Sequence, residues 1–278
     1  MHEAERGDTV RRIARSGDPD RALAALFAPR ETRADLLTLY AFNVELARIA
    51  EQVTEPELGA IRLQWWREAL ARARTGESTG HPVADAMGDV RRRRALAPER
   101  IESLIEARSF DIATRIMPDR SALETYLHDT AGALFGLAAA CAGVPGATIE
   151  PAASQAGLAY GLTGLMRALP VHASSGRVTL PADALRRHGT SPEAVLAGQT
   201  EPGLRVVLED LRDQARTALD DARRHVAKLD RRAQAAFLPL SLVDPYLAAL
   251  ERRGRDPLRE IADVNPLNRL WRMARWRP

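Results

Sequence analysis

Residues 39–56, LYAFNVELARIAEQVTEP, combine helical spacing with polar side chains that could take part in chemistry. Ala47 and Glu51 are four residues apart and therefore share one helix face, which Tyr40 extends. A site for Mg²⁺ and phosphate on that face needs several carboxylates, because hard cations prefer oxygen ligands. Glu51 is the one acid there, and by its chemistry alone it is a solvated helix-end glutamate near Arg48. This stretch by itself indicates no complete catalytic set.

A second stretch, LTGLMRALPVHASSGRVTLP (162–181), ends an apolar helix in a loop that carries two arginines. Arg167 and Arg177, near a turn that contains glycine, can grip an anionic group bidentately. The alternative is a surface loop with ordinary solvated arginines. His172 has no His or Cys partner at metal-ligand spacing, so the sequence argues against a zinc site.

Two basic stretches could contact a charged partner. The run 91–94 consists of four arginines, which can dock on nucleic acid or anionic lipid, although a charge run at a helix end is usually solvated. The C-terminal stretch NPLNRLWRMARWRP (265–278) interleaves apolar residues with arginines, as a helix at a membrane surface does. The alternative for this stretch is a last helix that docks its tryptophans on the core.

The composition limits the class of protein. The chain has 278 residues, of which 45% are hydrophobic and 28% charged, and this is typical of a globular protein. Its net charge of +3 is too small to argue for nucleic acid, and we expect no nucleic-acid partner. Cys141 is the single cysteine, so an intrachain disulfide is excluded and a core position is the simplest expectation.

The chain shows no repeat and no clear interdomain linker, so residues 1–278 are predicted to form one domain with its core over about 19–251. The N-terminal residues are polar, without an apolar signal segment. The most apolar stretch, 133–146, is too short to span a bilayer. We therefore expect a cytoplasmic protein that at most touches the inner face of a membrane.

Helices have to position these residues. Apolar residues recur at helical spacing nearly throughout, and the 5% aromatic content with abundant Ala, Leu and Arg favours helix over strand. We predict that Asp20 caps a first helix and that Pro239 and Pro245 bend the helix over 230–250. The predicted longer helices span residues 33–53, 57–74, 82–93, 98–115, 121–142, 151–169, 202–228 and 230–250.

Several stretches in the same order resemble the squalene/phytoene synthase family, the head-to-head trans-isoprenyl diphosphate synthases. LYAFNVELARIAE resembles the family's first motif, YAFCRxxDDxxD, and YGLTGLMRALPVHASSGRVTLP resembles its second, QLTNILRDxxEDxxxGRxYLP. Between them, LGAIRLQWWREAL is similar to the family's W-R segment, and AGALFG (131–136) is similar to its AGxVG-like turn. The resemblance covers about residues 21–251 and implies an all-α isoprenoid synthase bundle around a central cavity.

The chain departs from this family pattern where metal would be held. In chain order, the acidic positions of the two motifs are occupied by Ala47, Arg48, Glu51, Ala168, Val171 and His172. Small or neutral residues also replace polar motif residues at Asn43, Gly161 and Gly164. Each preorganised electrostatic contact is worth roughly 3–4 kcal/mol in a dry site. The departures therefore imply no cofactor and no metal-dependent squalene- or phytoene-type condensation.

One branch of the superfamily is a closer match. The mitochondrial complex I assembly factors and their bacterial relatives have a similar AFNVELA start and a similar LRLQWW-type segment. They also have an LP…VD helix that resembles LPLSLVDPYLAAL (238–250). This resemblance implies a non-catalytic or differently acting protein in respiratory complex I biogenesis, with complex I components among its partners.

The leading hypothesis is a family member with degenerate aspartate motifs that binds a lipid, an isoprenoid diphosphate or a protein partner. Small residues would leave the old cavity roomy, and arginines would hold a diphosphate or lipid headgroup without metal if they converge. The candidate residues for this cavity and for diphosphate binding are Tyr40, Asn43, Ala47, Arg48, Glu51, Arg62, Arg67, Gly164, Arg167, Ala168, His172 and Arg177.

The alternative hypothesis is an active prenyltransferase of squalene/phytoene-type biosynthesis with a rebuilt diphosphate site, which would use Mg²⁺. Asp111, Glu124 and Asp129 are the nearest acids for such a site, and Glu51 could contribute. Asp111 and Asp129 also fit the simpler interpretation of residues on a helix surface or at a helix junction.

Overall fold

The computed structural model describes residues 3–53, 55–144 and 146–278, and within these ranges the chain is all-helical, as predicted. The helices of the N-terminal half are α1 (Glu3–Gly17), α2 (Pro19–Ala25), α3 (Arg30–Gln52), α4 (Pro56–Arg74), α5 (Pro82–Arg93) and α6 (Pro98–Ala113). Helix α1 lies in the polar N-terminal stretch, where the sequence analysis predicted no helix.

The C-terminal half continues the same architecture. Its α-helices are α7 (Arg120–Leu127), α8 (Ala133–Cys141), α9 (Gly146–Ser174), α10 (Ala182–Arg187), α11 (Pro192–Leu196), α12 (Pro202–Val226), α13 (Arg231–Ala236), α14 (Val243–Leu250) and α15 (Pro266–Ala274). A π-helical turn (His128–Gly132) joins α7 to α8, and a 3₁₀ turn (Leu238–Leu242) lies between α13 and α14. One isolated parallel β-bridge pairs Ile116 with Val178.

Prolines and short polar side chains determine where the helices begin. Proline stands in the first turn of α4, α5 and α6, where its missing N–H costs no hydrogen bond. Asp119 and Asp230 cap α7 and α13 by accepting backbone N–H groups. The predicted cap of the first helix at Asp20 is wrong, because Asp18 accepts from the backbone N of Arg21 at 3.1 Å instead. Asp20 lies two residues further on, in the first turn of α2, and is buried.

Three other element predictions are corrected by the structure. The helix over 121–142 is interrupted by the π-helical turn, and the helix over 230–250 is broken into α13, a 3₁₀ turn and α14 rather than bent. Helix α9 continues through Pro170 to Ser174, so Arg167 lies in the helix and not in the following loop. A helical Arg167 has its position fixed by the packing of α9.

Helix α9 is the centre of the bundle. It packs along α12 on one side and against α8 and the π-helical turn on another. Gly157 makes the second contact possible, because a Cβ there would lie 2.4 Å from the backbone N of Gly132. Helix α3 is buried among α1, α5, α6 and α8. None of the helices in the described ranges combines the length and the apolar character that crossing a bilayer requires.

The buried core extends beyond residues 19–251. Val10 and Ala14 of α1 belong to the main apolar cluster, and Val264 and Met273 near the C-terminus pack in a smaller cluster. Cys141 is buried and free, in keeping with the expected core role. Helix α1 and helix α15 are therefore part of the packed structure.

Candidate functional site

The two predicted motifs lie on α3 and α9, which make few direct contacts with each other within the described ranges. Asn43 and Ala47 of α3 are half-buried, as are Gly164 and Ala168 of α9. A Cβ built on Gly164 would meet no atom within 4 Å. Gly164 therefore borders open space, whereas a Cβ at Gly161 would lie 2.6 Å from the side chain of Leu127.

Asp111 lies at the centre of a largely buried polar network, which we name the Asp111 network. Arg108 donates to Asp111 Oδ2 at 2.9 Å, and Arg177 donates to Oδ1 at 2.6 Å. The hydroxyl of Tyr126 donates to the same carboxylate at 3.0 Å and accepts from Arg108 at 3.1 Å. Arg108 also donates to Asn43 Oδ1 at 3.0 Å, which connects the first motif to the turn of the second.

Charge pairing determines the ionisation of this network. Burial alone would raise the pKa of Asp111, but the charges of Arg108 and Arg177 lower it below its ordinary value. Burial and the nearby charge of Arg177 lower the pKa of His172 to about 4. Nδ1 of His172 lies 3.2 Å from Thr179 Oγ1, so the ring is held by a neutral partner. At neutral pH the network contains an ionised aspartate, two arginines and an uncharged histidine.

A third guanidinium is buried close by. Arg21 lies 4.3 Å from the ring centroid of Tyr160 and donates to Asp18 at 2.8 Å. Burial by itself would lower the pKa of Arg21, but the charge of Asp18 raises it, so Arg21 stays charged. Tyr40 is also buried here, and burial raises the pKa of its hydroxyl. This part of the interior is therefore cationic and aromatic.

Arg167 of the second motif belongs to a different cluster, which we name the Asp20 network. Its guanidinium lies 3.5 Å from the ring centroid of Tyr246, and Nη1 lies 3.6 Å from Asp20. The hydroxyl of Tyr246 donates to the Asp20 carboxylate at 2.7 Å, and Arg269 of α15 donates to the same carboxylate at 3.0 Å. Nε of Arg167 donates to the carbonyl of Ala262 at 3.1 Å. Arg167 is thus held by contacts that include the C-terminal segment.

The remaining predicted site residues lie elsewhere. Arg48 is 3.9 Å from Glu45, and Arg62 donates to Gln52 at 2.6 Å near the end of α3. Arg67 donates to two glutamates of α6, Glu102 and Glu106, at 2.6 Å each. Glu51 is exposed. The five predicted arginines therefore lie in separate clusters, and the structure brings only Arg177 together with Asn43 and His172.

The acids proposed for a rebuilt catalytic site do not share one cavity. Asp111 is held by two arginines, whereas Glu124 is exposed and accepts from Gln214 at 2.7 Å. Asp129 pairs with His128 at 2.9 Å and lines an open groove of about 880 Å³ between α4 and α6. The three carboxylates therefore lie in three different environments.

The metal that the family resemblance implies finds no fitting ligands here. Across the described ranges, no group of three or more His, Cys, Asp or Glu side chains is arranged to hold a metal ion. Asp111, the carboxylate that Arg177 of the second motif contacts, is already neutralised by Arg108 and Arg177. Additional positive charge from Mg²⁺ would be repelled by these guanidiniums. The residues present therefore do not fit a Mg²⁺–diphosphate cluster.

The four-arginine run 91–94 makes contacts within the molecule, although Arg92 and Arg93 are exposed. Arg93 and Arg94 each donate to Asp35 at 2.7 Å, and the Asp35 side chain is only 2% exposed. Arg91 donates to the carbonyl of Leu70 at 3.2 Å. Neither sequence interpretation of the run, a docking surface or a solvated charge run, describes these contacts. Its physical role is to compensate a buried carboxylate.

Sequence reasoning missed three residues of the two networks and the buried Arg21 close to them. Arg108 and Tyr126 were not proposed, and neither were Tyr246 and Arg21. One usable signal was present, since Arg108 and Asp111 are three residues apart and share a helix face. The contacts to Tyr126 and Tyr246 join distant parts of the chain, and no local pattern indicates them.

Comparison with known proteins agrees with this fold and with the sequence motifs. The family model described as squalene/phytoene synthase matches residues 14–277. The crystal structure of squalene synthase HpnC from Alicyclobacillus acidocaldarius superposes with a TM-score of 0.79 at 23% identity, covering 90% of this chain and 94% of that one. This likeness confirms the predicted isoprenoid synthase fold.

The chain is similar to relatives of two kinds, an assembly factor and a phytoene synthase. The chain is 30% identical over 240 residues to NADH dehydrogenase (ubiquinone) complex I, assembly factor 6 of Rattus norvegicus, covering 86% of this chain and 72% of that protein. It is 27% identical over 275 residues to the phytoene synthase of Thermus thermophilus, covering 95% of this chain and 87% of that enzyme. The predicted resemblance to the assembly-factor branch is confirmed. The chain belongs to the squalene/phytoene synthase family.

Proposed function

We propose that this chain is a non-catalytic member of its family that acts as a binding factor in the biogenesis of respiratory complex I. The observation that carries the proposal is the capture of Asp111 between Arg108 and Arg177. The family's chemistry ionises an allylic diphosphate, and metal-held charge has to stabilise the departing group. In this chain the interior carboxylate is already used to neutralise the protein's own arginines.

The charge of the interior supports the same conclusion. Three guanidiniums, the buried ones of Arg21 and Arg108 and the partly buried one of Arg177, face two carboxylates, those of Asp18 and Asp111. His172 adds no charge at neutral pH, because its pKa is about 4. An interior with a surplus of positive charge attracts anions and repels divalent cations.

A turnover assay tests the absence of catalysis. The chain is incubated with farnesyl or geranylgeranyl diphosphate, with and without Mg²⁺, and released pyrophosphate is measured. We expect no metal-dependent release, because each missing electrostatic contact costs roughly 3–4 kcal/mol of transition-state stabilisation. The phytoene synthase of Thermus thermophilus, assayed in parallel, is the positive control. Pyrophosphate release that requires Mg²⁺ would overturn the proposal.

The names of the relatives support the second half of the proposal. Several proteins that match most of this chain are named complex I assembly factor 6 or a homolog of it. Because complex I is a membrane-bound enzyme, we place the proposed action in the cytoplasm, at the inner face of the membrane. Deleting the gene should lower assembled complex I on native gels and NADH oxidation by isolated membranes.

Complementation separates an assembly role from a catalytic one. Glu51 is the one acid retained at the aspartate positions, and it is exposed, so Glu51→Gln leaves the fold intact. We expect the wild type and Glu51→Gln to restore complex I equally. A reactivated diphosphate site would depend on this carboxylate. Loss of complementation by Glu51→Gln at unchanged protein level would therefore favour catalysis.

A bound lipid is a second candidate function, favoured by the open space beside Gly164. The small side chains of Ala47 and Ala168 flank the motif face, and the nearby arginines suit an anionic headgroup. A thermal-shift screen with isoprenoid diphosphates and quinones, with and without Mg²⁺, tests this function. We expect any stabilising ligand to act without Mg²⁺ and to lose its effect in Gly164→Leu, which fills the space. Stabilisation by no ligand would leave protein–protein contact as the function.

A further inference from the structure

Helix α15 presents two different faces. Met273 is 2% exposed and packs with Tyr246 and Val264, and Trp276 packs against the same cluster. On the other face, the side chains at spacings of three and four residues are solvent-exposed. These are Leu267 (75% exposed), Leu270 (45%) and Trp271 (53%). The sequence allowed either a membrane-surface helix or a last helix docked on the core. Each interpretation describes one face, because Trp276 packs against the core and Trp271 faces solvent.

The docked face fixes the orientation of the helix. Arg269 donates to the buried Asp20 at 3.0 Å and to the carbonyl of Val264 at 2.9 Å. Asn265 caps the helix by accepting from the backbone N of Leu267 at 2.8 Å. With one face tied to α2 and to the 3₁₀ turn, the apolar side chains on the other face cannot fold into the core.

The charged side chains of the stretch that carries the exposed apolar face are all positive. The stretch 265–278 contains four arginines and neither aspartate nor glutamate. Arg269 is paired, whereas Arg272, Arg275 and Arg277 form no ion pair with any residue of the described ranges. The guanidiniums of Arg272 and Arg275 lie 5.7 and 5.1 Å from the ring centroid of Trp271. The face therefore combines an apolar stripe with an unneutralised basic rim.

We propose that the exposed face of α15, formed by Leu267, Leu270 and Trp271 with the arginine rim, inserts into the interface of an anionic lipid bilayer. A helix with an apolar stripe, an exposed tryptophan and basic flanks has the composition of a membrane-surface helix. The rim complements the negative surface potential of anionic lipids. The proposal uses no residue of the interior motifs, so it stands independently of the proposed function.

The size of the face favours lipid over a protein partner. A stable protein complex buries roughly 800 Å² and 20–30 residues on each side. A helix of nine residues with three exposed apolar side chains supplies a small part of such an interface. An interfacial helix needs only one apolar stripe and neighbouring positive charge.

Vesicle binding by the full chain tests the proposal. Cosedimentation is measured with phosphatidylcholine vesicles with and without phosphatidylglycerol, at low and high salt. We expect binding to the anionic vesicles that weakens with salt. Arg272→Gln with Arg275→Gln should weaken it by about fivefold for each arginine. Leu267→Ser with Trp271→Ser should weaken it by about tenfold or more.

Matched variants elsewhere on the surface serve as controls. Val206→Ser replaces an apolar residue of α12 that is 39% exposed, and Arg231→Gln with Arg232→Gln removes two exposed arginines of α13. Both controls should bind as the wild type does, and all variants should keep the wild-type circular dichroism spectrum. Equal binding to neutral and anionic vesicles, or α15 variants that bind like the controls, would overturn the proposal. If the α15 variants instead lose a copurifying protein while vesicle binding is unchanged, the face belongs to a protein partner and the lipid proposal fails.

Discussion

Two buried aspartates in this molecule are held in nearly the same way. Each accepts from a tyrosine hydroxyl and pairs with two arginines, and each captures one arginine of the second family motif. The partners of Asp111 are Arg108, Arg177 and Tyr126, and the partners of Asp20 are Arg167, Arg269 and Tyr246. The two motif arginines are therefore both committed to carboxylates of the protein itself.

The networks differ in what they connect. The Asp111 network joins α6, α7 and the turn after α9, all within the central bundle. The Asp20 network joins α2 near one end of the chain to α15 at the other. The exposed fractions of the arginine side chains overlap, at 23% and 15% for Arg167 and Arg269 against 10% and 18% for Arg108 and Arg177, so the difference lies in the elements that are joined. The same arrangement of side chains thus serves interior charge balance in one place and the attachment of the C-terminal segment in the other.

We expect Asp111→Asn to have the largest effect of the changes that test this comparison. The substitution leaves the buried Arg108 without its charge partner, and losing one member of a buried pair costs about 3–5 kcal/mol. Urea unfolding followed by circular dichroism gives the free energy of unfolding. Asp213→Asn, at an exposed aspartate of α12, is the control and should change it by less than about 0.5 kcal/mol. A loss below about 1 kcal/mol for Asp111→Asn would show that the interior is open to water.

The pH dependence of stability should distinguish the two networks next. The folded chain keeps His172 uncharged down to about pH 4, whereas the unfolded chain takes up the proton near pH 6.5. The free energy of unfolding should therefore fall as the pH drops from about 6.5 to about 4, by at most about 3 kcal/mol. The lowered pKa of Asp111 adds its own loss only at still lower pH.

His172→Gln isolates this effect, because glutamine keeps a hydrogen-bonding group for Thr179 and does not titrate. We expect the variant to lose most of the pH dependence between about pH 6.5 and about pH 4, and the remainder to come from His81, whose pKa burial also lowers. Asp20 has no histidine among its bonded partners in the described part of the chain. If wild type and variant show the same pH profile, His172 is charged in the folded chain and the description of the Asp111 network is wrong.

A smaller loss is expected for Asp20→Asn. Arg167 and Arg269 reach water more easily than Arg108, so the cost should be about 2 kcal/mol, the typical value for a lost charged hydrogen bond. Because Arg269 ties α15 to the bundle, the variant should also be cut by trypsin faster within 265–278. The digestion time course is compared with that of Asp111→Asn. Faster release of the C-terminal segment in Asp111→Asn would contradict the division of roles between the networks.

The sequence predicted the parts of this structure that depend on local pattern. Helical spacing and proline positions indicated α4, α5 and α6 within a few residues of their observed bounds. The order of the motifs predicted the fold, which the comparisons confirm. Helix α1 was missed because its composition is mostly polar and its two buried residues, Val10 and Ala14, form too narrow a stripe to stand out.

The site was less predictable, because pairings between distant residues decide it. The substitution of the motif acids was readable directly from Ala47 and Ala168. The sequence did not indicate that Arg167 pairs with Asp20, 147 positions earlier in the chain, while Arg177 pairs with Asp111. Two arginines of one motif look like one anion site until tertiary contacts separate them.

The smallest expected effect concerns the open space beside Gly164 of α9. Glycine inside a helix costs roughly 1 kcal/mol relative to alanine, so Gly→Ala stabilises wherever the methyl group fits. At Gly164 a Cβ meets nothing within 4 Å, and Gly164→Ala should raise the free energy of unfolding by about 0.5–1 kcal/mol. At Gly157 of the same helix, a Cβ would lie 2.4 Å from the backbone N of Gly132, so Gly157→Ala should destabilise the chain. Since the gain in helix propensity is shared, the difference between the two variants in urea unfolding reports the space alone. Destabilisation by Gly164→Ala would mean that this face of α9 is closed, and the lipid-binding candidate would lose its support.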